Sequence, residues 1–190
     1  MSFLKLLLAF LPWLSFLVIA HGSLFRLKLG LVVALILSMV MGITRLHRGI
    51  ILWVGLIFFS GATLAVVGFN NMWTAQHMGI IANGALAMGT WLTIVLRKPF
   101  TLDYAREHTD PSLWNNPLFI RTNTVIAATW CLVFTINAIL AWGKLEHFIL
   151  SDLGYEVISY TLLIGTAAFT SWYPDYVHRG RERETQGLAT

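Results

Sequence analysis

Long apolar runs separated by short polar ones dominate the chain. The hydrocarbon core of a bilayer is about 30 Å thick and a helix rises about 1.5 Å per residue, so a span needs about 20 apolar residues. Six runs approach that length and predict membrane-spanning helices. They cover residues 3–20, 29–44, 50–69, 78–96, 124–142 and 157–173. The predicted fold class is therefore all-α, a polytopic transmembrane helix bundle of about six spans.

The charged residues fit this interpretation. Lys5 is the one charge within the six runs, and a lysine near a helix end can extend its ammonium group to the interface. The runs at 29–44 and 157–173 are short for a span, so five spans plus a re-entrant segment remain an alternative. Residues 1–174 form one predicted transmembrane domain, and residues 175–190 form a basic tail.

One connection between spans is long, at residues 97–123, and the others are short enough to make consecutive helices antiparallel neighbours. Lys98-Pro99 ends the fourth predicted span, and residues 101–108 predict one or two helical turns. Asp110 before Pro111 predicts a helix N-cap with proline in the first position. Asn116-Pro117 predicts a break before the fifth span.

Composition excludes several classes of protein. Of 190 residues, 57% are apolar and 12% are charged, whereas soluble domains carry about 45–50% and about 25%. A water-soluble enzyme domain, a disordered tail and a nucleic-acid-binding module are thereby excluded. A single cysteine, Cys131, allows neither a disulfide framework nor a cysteine-based metal site.

Basic residues predict the orientation. With both termini cytoplasmic, ten of the 13 basic residues lie inside and three outside, as the positive-inside rule requires. The inside set is Lys5, Arg45, Arg48, Arg97, Lys98, Arg106, Arg121, Arg179, Arg181 and Arg183, and the outside set is Arg26, Lys28 and Lys144. Most tryptophans fall near the predicted boundaries, but Trp13 and Trp130 lie deeper, which predicts a packing role.

The predicted spans contain few polar groups. No Asp, Glu, Lys, Arg or His lies at mid-depth, whereas ion-coupled transport needs an ionisable group there. Asn83 and Asn137 are the strongest polar groups in mid-span, and they predict hydrogen bonds between helices. A small-solute or lipid permease with a groove at these asparagines is an alternative. Ala85 with Gly89 is one of several small-residue pairs in the third and fourth spans. They predict that these two spans, joined by a tight turn, form the best-packed pair of helices.

Three histidines fall at the predicted outer face. His21, His77 and His147 end the first span, precede the fourth and follow the fifth. Three imidazoles at one depth are able to bind zinc or copper. A second function, membrane subunit of a redox or metal-handling complex, would use them as ligands. Because they belong to separate loops, local hydrogen bonding at the interface is the simpler interpretation.

No pattern indicates catalysis. The sequence lacks a Gly-x-Ser-x-Gly elbow, a phosphate-binding loop and a His-Glu-x-x-His motif. The carboxylate pairs Asp103 with Glu107 and Asp152 with Glu156 have the spacing of solvated helix faces. We therefore predict a protein that is not an enzyme and carries no cofactor.

A set of short motifs resembles the intracellular septation protein A family of small bacterial inner-membrane proteins. The motifs keep the order and spacing of the spans from about residue 5 to about residue 180. They are Phe10-Leu11-Pro12, Arg45 with Arg48, Gly61-Ala62-Thr63-Leu64, Phe69-Asn70 with Trp73, Lys98-Pro99, Asn123 with Asn137, and the basic tail. Gln76-His77 stands where the family has a Lys-Pro pair, and residues 99–107 differ from the family, as in a divergent branch.

The resemblance implies a multi-pass protein of the bacterial cell inner membrane, acting as an accessory or scaffold in envelope integrity and septation. It brings no catalytic centre. The expected working surface is the connection 97–123, which would contact membrane-protein partners. Arg97, Lys98, Arg106 and Arg121 would also bind anionic headgroups of the bilayer. No nucleic acid is expected as a partner.

Overall fold

The computed structural model describes residues 8, 10–44, 49–106 and 109–187. Every regular element among them is helical, which confirms the all-α class. The α-helices are α1 (Leu11–Ile19), α2 (Leu24–Ile43), α3 (Ile50–Thr63), α4 (Met72–Gln76), α5 (Met78–Val95), α6 (Thr101–Arg106), α7 (Pro117–Leu145) and α8 (Asp152–Gly187). A π-helical turn, Leu64–Gly68, extends α3, and a 3-10 turn covers Pro111–Leu113.

Four of these helices are long and apolar enough to cross a membrane: α2, α3 with its π-helical turn, α5 and α7. They correspond to the predicted spans 29–44, 50–69, 78–96 and 124–142. The described part of the first predicted span is α1, which has nine residues, and the start of that span lies outside the described residues. Helix α8 contains the last predicted span, but serine, threonine and tyrosine dilute its apolar residues. The count of six spans therefore stays a prediction.

Side-chain caps set where the helices begin. The side chains of Ser23 and Asn71 accept hydrogen bonds from backbone amides in the first turns of α2 and α4. Asn116 does the same for the amide of Leu118, with Pro117 as the first residue of α7. The expected break at Asn116-Pro117 is thus the start of α7, about two turns before the predicted span. Proline suits this position because the first backbone N–H groups of a helix have no partner within the helix, and proline has no N–H to leave unpaired.

Two long helices end in the same way. Arg97 after α5 and His147 after α7 have φ of 55° and 52°. The next amide in each case bonds a carbonyl five residues back, from Lys98 to Thr93 at 2.9 Å and from Phe148 to Gly143 at 3.1 Å. This left-handed closure satisfies carbonyls that would otherwise lack a donor.

Helix α7 is central to the bundle. Its contact with α5 is the most extensive between any two elements described, and it also packs on α6 and α8. The expectation that the third and fourth spans form the best-packed pair was wrong, since α5 contacts α7 more than it contacts α3. Gly79 explains part of this, because a Cβ placed there would lie 3.2 Å from that of Ala141 on α7.

Aromatic rings fill the core between the amino-terminal segment and the other helices. Phe10 stacks on Trp130 with 5.4 Å between ring centroids, and Trp13 stacks on Phe58 at 5.0 Å. Trp13 and Trp130 are each 7% exposed, which confirms their predicted packing role. The aromatic pairs join α1 to both α3 and α7.

Gly89 offers a direct test of how closely α3 and α5 approach. A Cβ added at Gly89 collides with Cγ2 of Val54, whereas one added at Gly61 meets nothing within 4 Å. We expect Gly89→Ala to lower the free energy of unfolding by about 1–3 kcal/mol, measured by reversible unfolding in bicelles. Gly61→Ala should leave it unchanged or slightly raised, and adding Val54→Ala should rescue Gly89→Ala. If Gly89→Ala lowers stability and Val54→Ala does not restore it, the close contact between Gly89 and Val54 is contradicted.

Candidate functional site

The connection 97–123 is folded onto the bundle. Thr101, at 0% exposure, donates a hydrogen bond of 2.7 Å from Oγ1 to the carbonyl of Asn123 in α7. The amide of Phe100 donates to Oγ1 of Thr93 in α5 over 3.2 Å. These bonds fix α6 to the end of one long helix and the start of another. We call the described residues of this connection, 97–106 and 109–123, the platform.

Aromatic packing adds to these hydrogen bonds. Phe100 is 1% exposed, and its ring lies edge-on to Phe10 at 6.5 Å and to Tyr104 at 6.4 Å between centroids. The platform thereby contacts the same aromatic core that holds α1. Its backbone is held from three sides, so residues on its outer surface keep a defined arrangement.

The four predicted surface cations differ in their surroundings. Arg97, Lys98 and Arg121 are exposed. Arg106 is half-buried, with its guanidinium carbon 5.6 Å from the centre of the Trp114 ring, a cation–π contact. The indole N–H of Trp114 donates to the carbonyl of Thr109 over 3.0 Å, which holds that ring in place. The first three are available to an external anion, whereas Arg106 is held within the platform.

A cleft of about 310 Å³ lies within the platform, between α6 with the 3-10 turn on one side and the first turns of α7 on the other, and it also borders the part of α8 around Pro174. Apolar and polar side chains both contribute to its wall. They are Ala105, Thr109, Leu113, Asn116, Leu118, Phe119, Thr122, Asn123, Ile126, Pro174, Val177 and His178. Sequence reasoning did not predict this cleft, because it needs α7 to begin at Pro117.

The two mid-span asparagines behave differently from each other. Asn83 donates from Nδ2 to the carbonyl of Gly79 in its own helix over 2.8 Å. Asn137 is 2% exposed, and its Oδ1 is buried without a hydrogen-bond partner among the described residues. A hydrogen bond from either one to a neighbouring helix stays a prediction.

Tryptophan donors link the helices instead. Nε1 of Trp91 donates to Oγ1 of Thr135 over 3.2 Å, which joins α5 to α7. Nε1 of Trp130 donates to Oγ1 of Thr170 over 3.0 Å, which joins α7 to α8. A buried indole N–H usually finds an acceptor. The tryptophans and threonines of the spans were therefore the signal in the sequence for hydrogen bonds between helices.

The three predicted metal ligands have separate partners. His21 Nε2 lies 2.7 Å from the hydroxyl of Tyr160, and His77 Nδ1 lies 2.8 Å from the carbonyl of Trp73. The ring of His147 is 4.0 Å from a carboxylate oxygen of Asp152. Within the described residues no group of three His, Cys, Asp or Glu side chains is placed to hold a metal ion. The structure does not bring the three histidines together, and the metal site stays a prediction.

An ion pair joins α7 and α8 at the end of the bundle opposite the platform. Nζ of Lys144 lies 2.6 Å from Oε1 of Glu156, one turn before Tyr160. The hydrogen bond from Lys144, together with the positive charge of the same lysine, holds the pKa of Glu156 below its usual value. His21 bonds Tyr160, so His21, Tyr160, Glu156 and Lys144 together connect the α1–α2 turn to α7 and α8.

Comparison of the chain with protein-family models, curated proteins and solved structures finds no match. The septation-family resemblance rests on the residues named in the sequence analysis. Among those residues, Arg45 and Arg48 lie outside the described part of the chain.

Thr101 provides a test of how the platform is held. Thr101→Val keeps the side-chain shape and removes the hydrogen bond to Asn123, so we expect the free energy of unfolding to fall by about 1 kcal/mol. Hydrogen exchange at the amides of α6 should also accelerate, as measured by mass spectrometry. Thr124→Val is the matched control, since Thr124 bonds a carbonyl in its own helix at 2.8 Å. Equal acceleration at α6 in both variants would show that the Thr101 bond does not anchor the platform.

Proposed function

We propose that this protein is a non-enzymatic accessory or scaffold of the bacterial cell inner membrane, acting in envelope integrity and septation. About six spans would place both termini in the cytoplasm, with α1 and its preceding residues as the first span and α8 containing the last. Four helices able to cross a membrane and the ten-to-three distribution of basic residues support this arrangement. The family resemblance supports the biological role.

The platform is the observation that carries the proposal. A scaffold must present a surface of fixed geometry, and binding residues are most effective on segments that a rigid framework positions. Here a connection between two spans is fixed by buried hydrogen bonds and aromatic contacts while three cations on it stay exposed. This combination suits a partner-binding surface at the membrane interface.

The exposed cations also support a position of the platform close to the headgroups. A lysine or arginine near an anionic leaflet contributes about 1 kcal/mol of attraction. Arg97 and Lys98 follow α5 directly, and Arg121 lies in the second turn of α7. Their side chains would bind lipid phosphates along one edge and leave the 3-10 turn and Trp114 for a protein partner.

Orientation is tested by cysteine labelling in cells. Asn115, on the platform, and Ile149, 93% exposed beyond the other end of α7, lie on opposite sides of the proposed membrane. A membrane-impermeant maleimide should label Ile149→Cys in spheroplasts and Asn115→Cys only after permeabilisation. The native Cys131 is fully buried and serves as the background. The reverse pattern, or labelling of both from one side, would refute the topology.

The partner-binding role is tested by crosslinking in native membranes followed by mass spectrometry. We expect division or wall-synthesis proteins among the crosslinked partners. In the triple variant Arg97→Gln, Lys98→Gln and Arg121→Gln, the yield of these crosslinks should fall several-fold, because the variant lacks the exposed charges of the platform. The control Arg26→Gln with Lys28→Gln removes cations at the opposite end of the bundle, and its crosslink yield should equal that of the wild type.

Two results would contradict this role. Partners that are dehydrogenases, cytochromes or metal carriers would favour the redox or metal-handling alternative. Unchanged crosslinks in the platform variant would show that the platform is not the binding surface.

A further inference from the structure

The cleft within the platform has the size of a small-molecule site. Its volume of about 310 Å³ lies at the lower end of the roughly 300–1,000 Å³ found for ligand pockets. At about 30 Å³ for each water-sized volume, it accommodates a molecule of roughly ten non-hydrogen atoms. A lipid with two full acyl chains is too large for it.

The walls are chiefly apolar and come from three parts of the chain. The platform, α7 and α8 contribute Leu113, Leu118, Phe119, Ile126, Pro174 and Val177. No Asp, Glu, Lys or Arg is among the described lining residues. Burial of an ionised group there would carry a large desolvation cost, so the lining selects an uncharged ligand.

Two polar groups in the wall bond within the chain. Oγ1 of Thr109 donates to the carbonyl of Ala105 at 2.8 Å, and Oδ1 of Asn116 accepts from the amide of Leu118 at 2.9 Å. Because the wall is chiefly apolar, a mainly apolar occupant fits the cleft better than a filling of water.

Asn123 supplies the one polar feature that points to a ligand. The residue is 4% exposed, and its Nδ2 donates to the carbonyl of Phe119 at 2.9 Å. Its Oδ1 has no hydrogen-bond partner among the described residues. A buried acceptor without a donor is unfavourable, and a donor brought by a ligand would relieve that deficit.

We propose that the cleft binds a small, uncharged amphiphile: an apolar body of about ten non-hydrogen atoms that carries one hydroxyl or amide N–H. The apolar body would pack between Phe119, Ile126 and Val177. The amide oxygen of Asn123 is buried in the free protein, so its side chain would rotate toward the cleft to accept the hydrogen bond of the ligand. This site is separate from the exposed cations of the platform, so ligand binding and partner binding can be lost independently.

The test uses a diazirine derivative of 1-octanol as a photoreactive probe on the full chain in lipid nanodiscs. Peptide mass spectrometry should find saturable labelling on the residues of the cleft, and excess 1-octanol should compete with it. Asn123→Leu should weaken labelling about fivefold to tenfold through loss of the hydrogen bond. Asn83→Leu is the matched control, since Asn83 also donates to a carbonyl four residues back, and its labelling should equal that of the wild type.

A second pair of variants keeps the test decisive if Asn123→Leu does not fold. Val177→Phe fills the cleft from α8 and should abolish the labelling. Val157→Phe makes the same change on the same helix at a residue 54% exposed and remote in sequence from the cleft, and it should have no effect.

Three results would overturn the proposal. The first is labelling that does not saturate and spreads over the exposed faces of the helices. The second is labelling that Val177→Phe leaves unchanged. The third is equal labelling of the cleft by an octane diazirine without the hydroxyl, which would show that a hydrogen bond to Asn123 does not contribute to binding.

Discussion

The length of α7 is the constraint on which the rest of the structure depends. Its 29 residues extend roughly 43 Å, whereas the hydrocarbon core of a bilayer is about 30 Å thick. The helix begins at Pro117, so much of its excess lies before the predicted span. Those first turns are the surface on which α6 packs, through the bond from Thr101 to Asn123. A shorter α7 would remove the surface on which α6 packs.

The opposite end of α7 is built differently. His147 adopts the left-handed conformation that closes the helix, and Gly143 leaves room for Tyr155, whose ring would lie 3.1 Å from a Cβ at that glycine. The ion pair of Lys144 with Glu156 then joins α7 to α8. That end is therefore tightly closed, while the platform end contains a cleft and exposed cations. This asymmetry is the structural reason for placing function at the platform end.

The sequence predicted well those features that depend on a single segment. Four apolar runs became helices, since apolar length determines whether a helix can cross a bilayer. The runs predicted at 50–69 and 78–96 match the helices to within one residue at each end, whereas α2 and α7 begin several residues before the prediction. Asp110 caps the turn that begins at Pro111, as its spacing indicated. The start of α7 was missed because Asn followed by Pro occurs both at a break and at a helix start. Only the structure shows which role this pair has, through the bond from the amide of Leu118 to Asn116.

Features that depend on several segments were harder to predict. Three histidines at one predicted depth allowed a metal site, but each contacts a different residue. His77 stacks on Trp73 at 4.2 Å, and His21 bonds the hydroxyl of Tyr160. Depth alone does not specify the rotation of each helix about its axis, and that rotation decides whether side chains converge. The α5–α7 contact was underestimated for the same reason, because Gly79 acts only against a residue on another helix.

The unpaired amide oxygens of α7 connect the packing of the bundle to the proposed ligand. Asn123 and Asn137 are fourteen residues apart, close to four helical turns, so they lie on nearly the same face of α7. Both carry a buried Oδ1 without a partner in the described residues, which costs about 1–3 kcal/mol at each site. Asn83, which bonds within its own helix, shows that an asparagine in this bundle can satisfy its own donor locally. What distinguishes Asn123 is its position in the wall of a cleft, where a bound ligand would bring the donor that the chain itself does not supply.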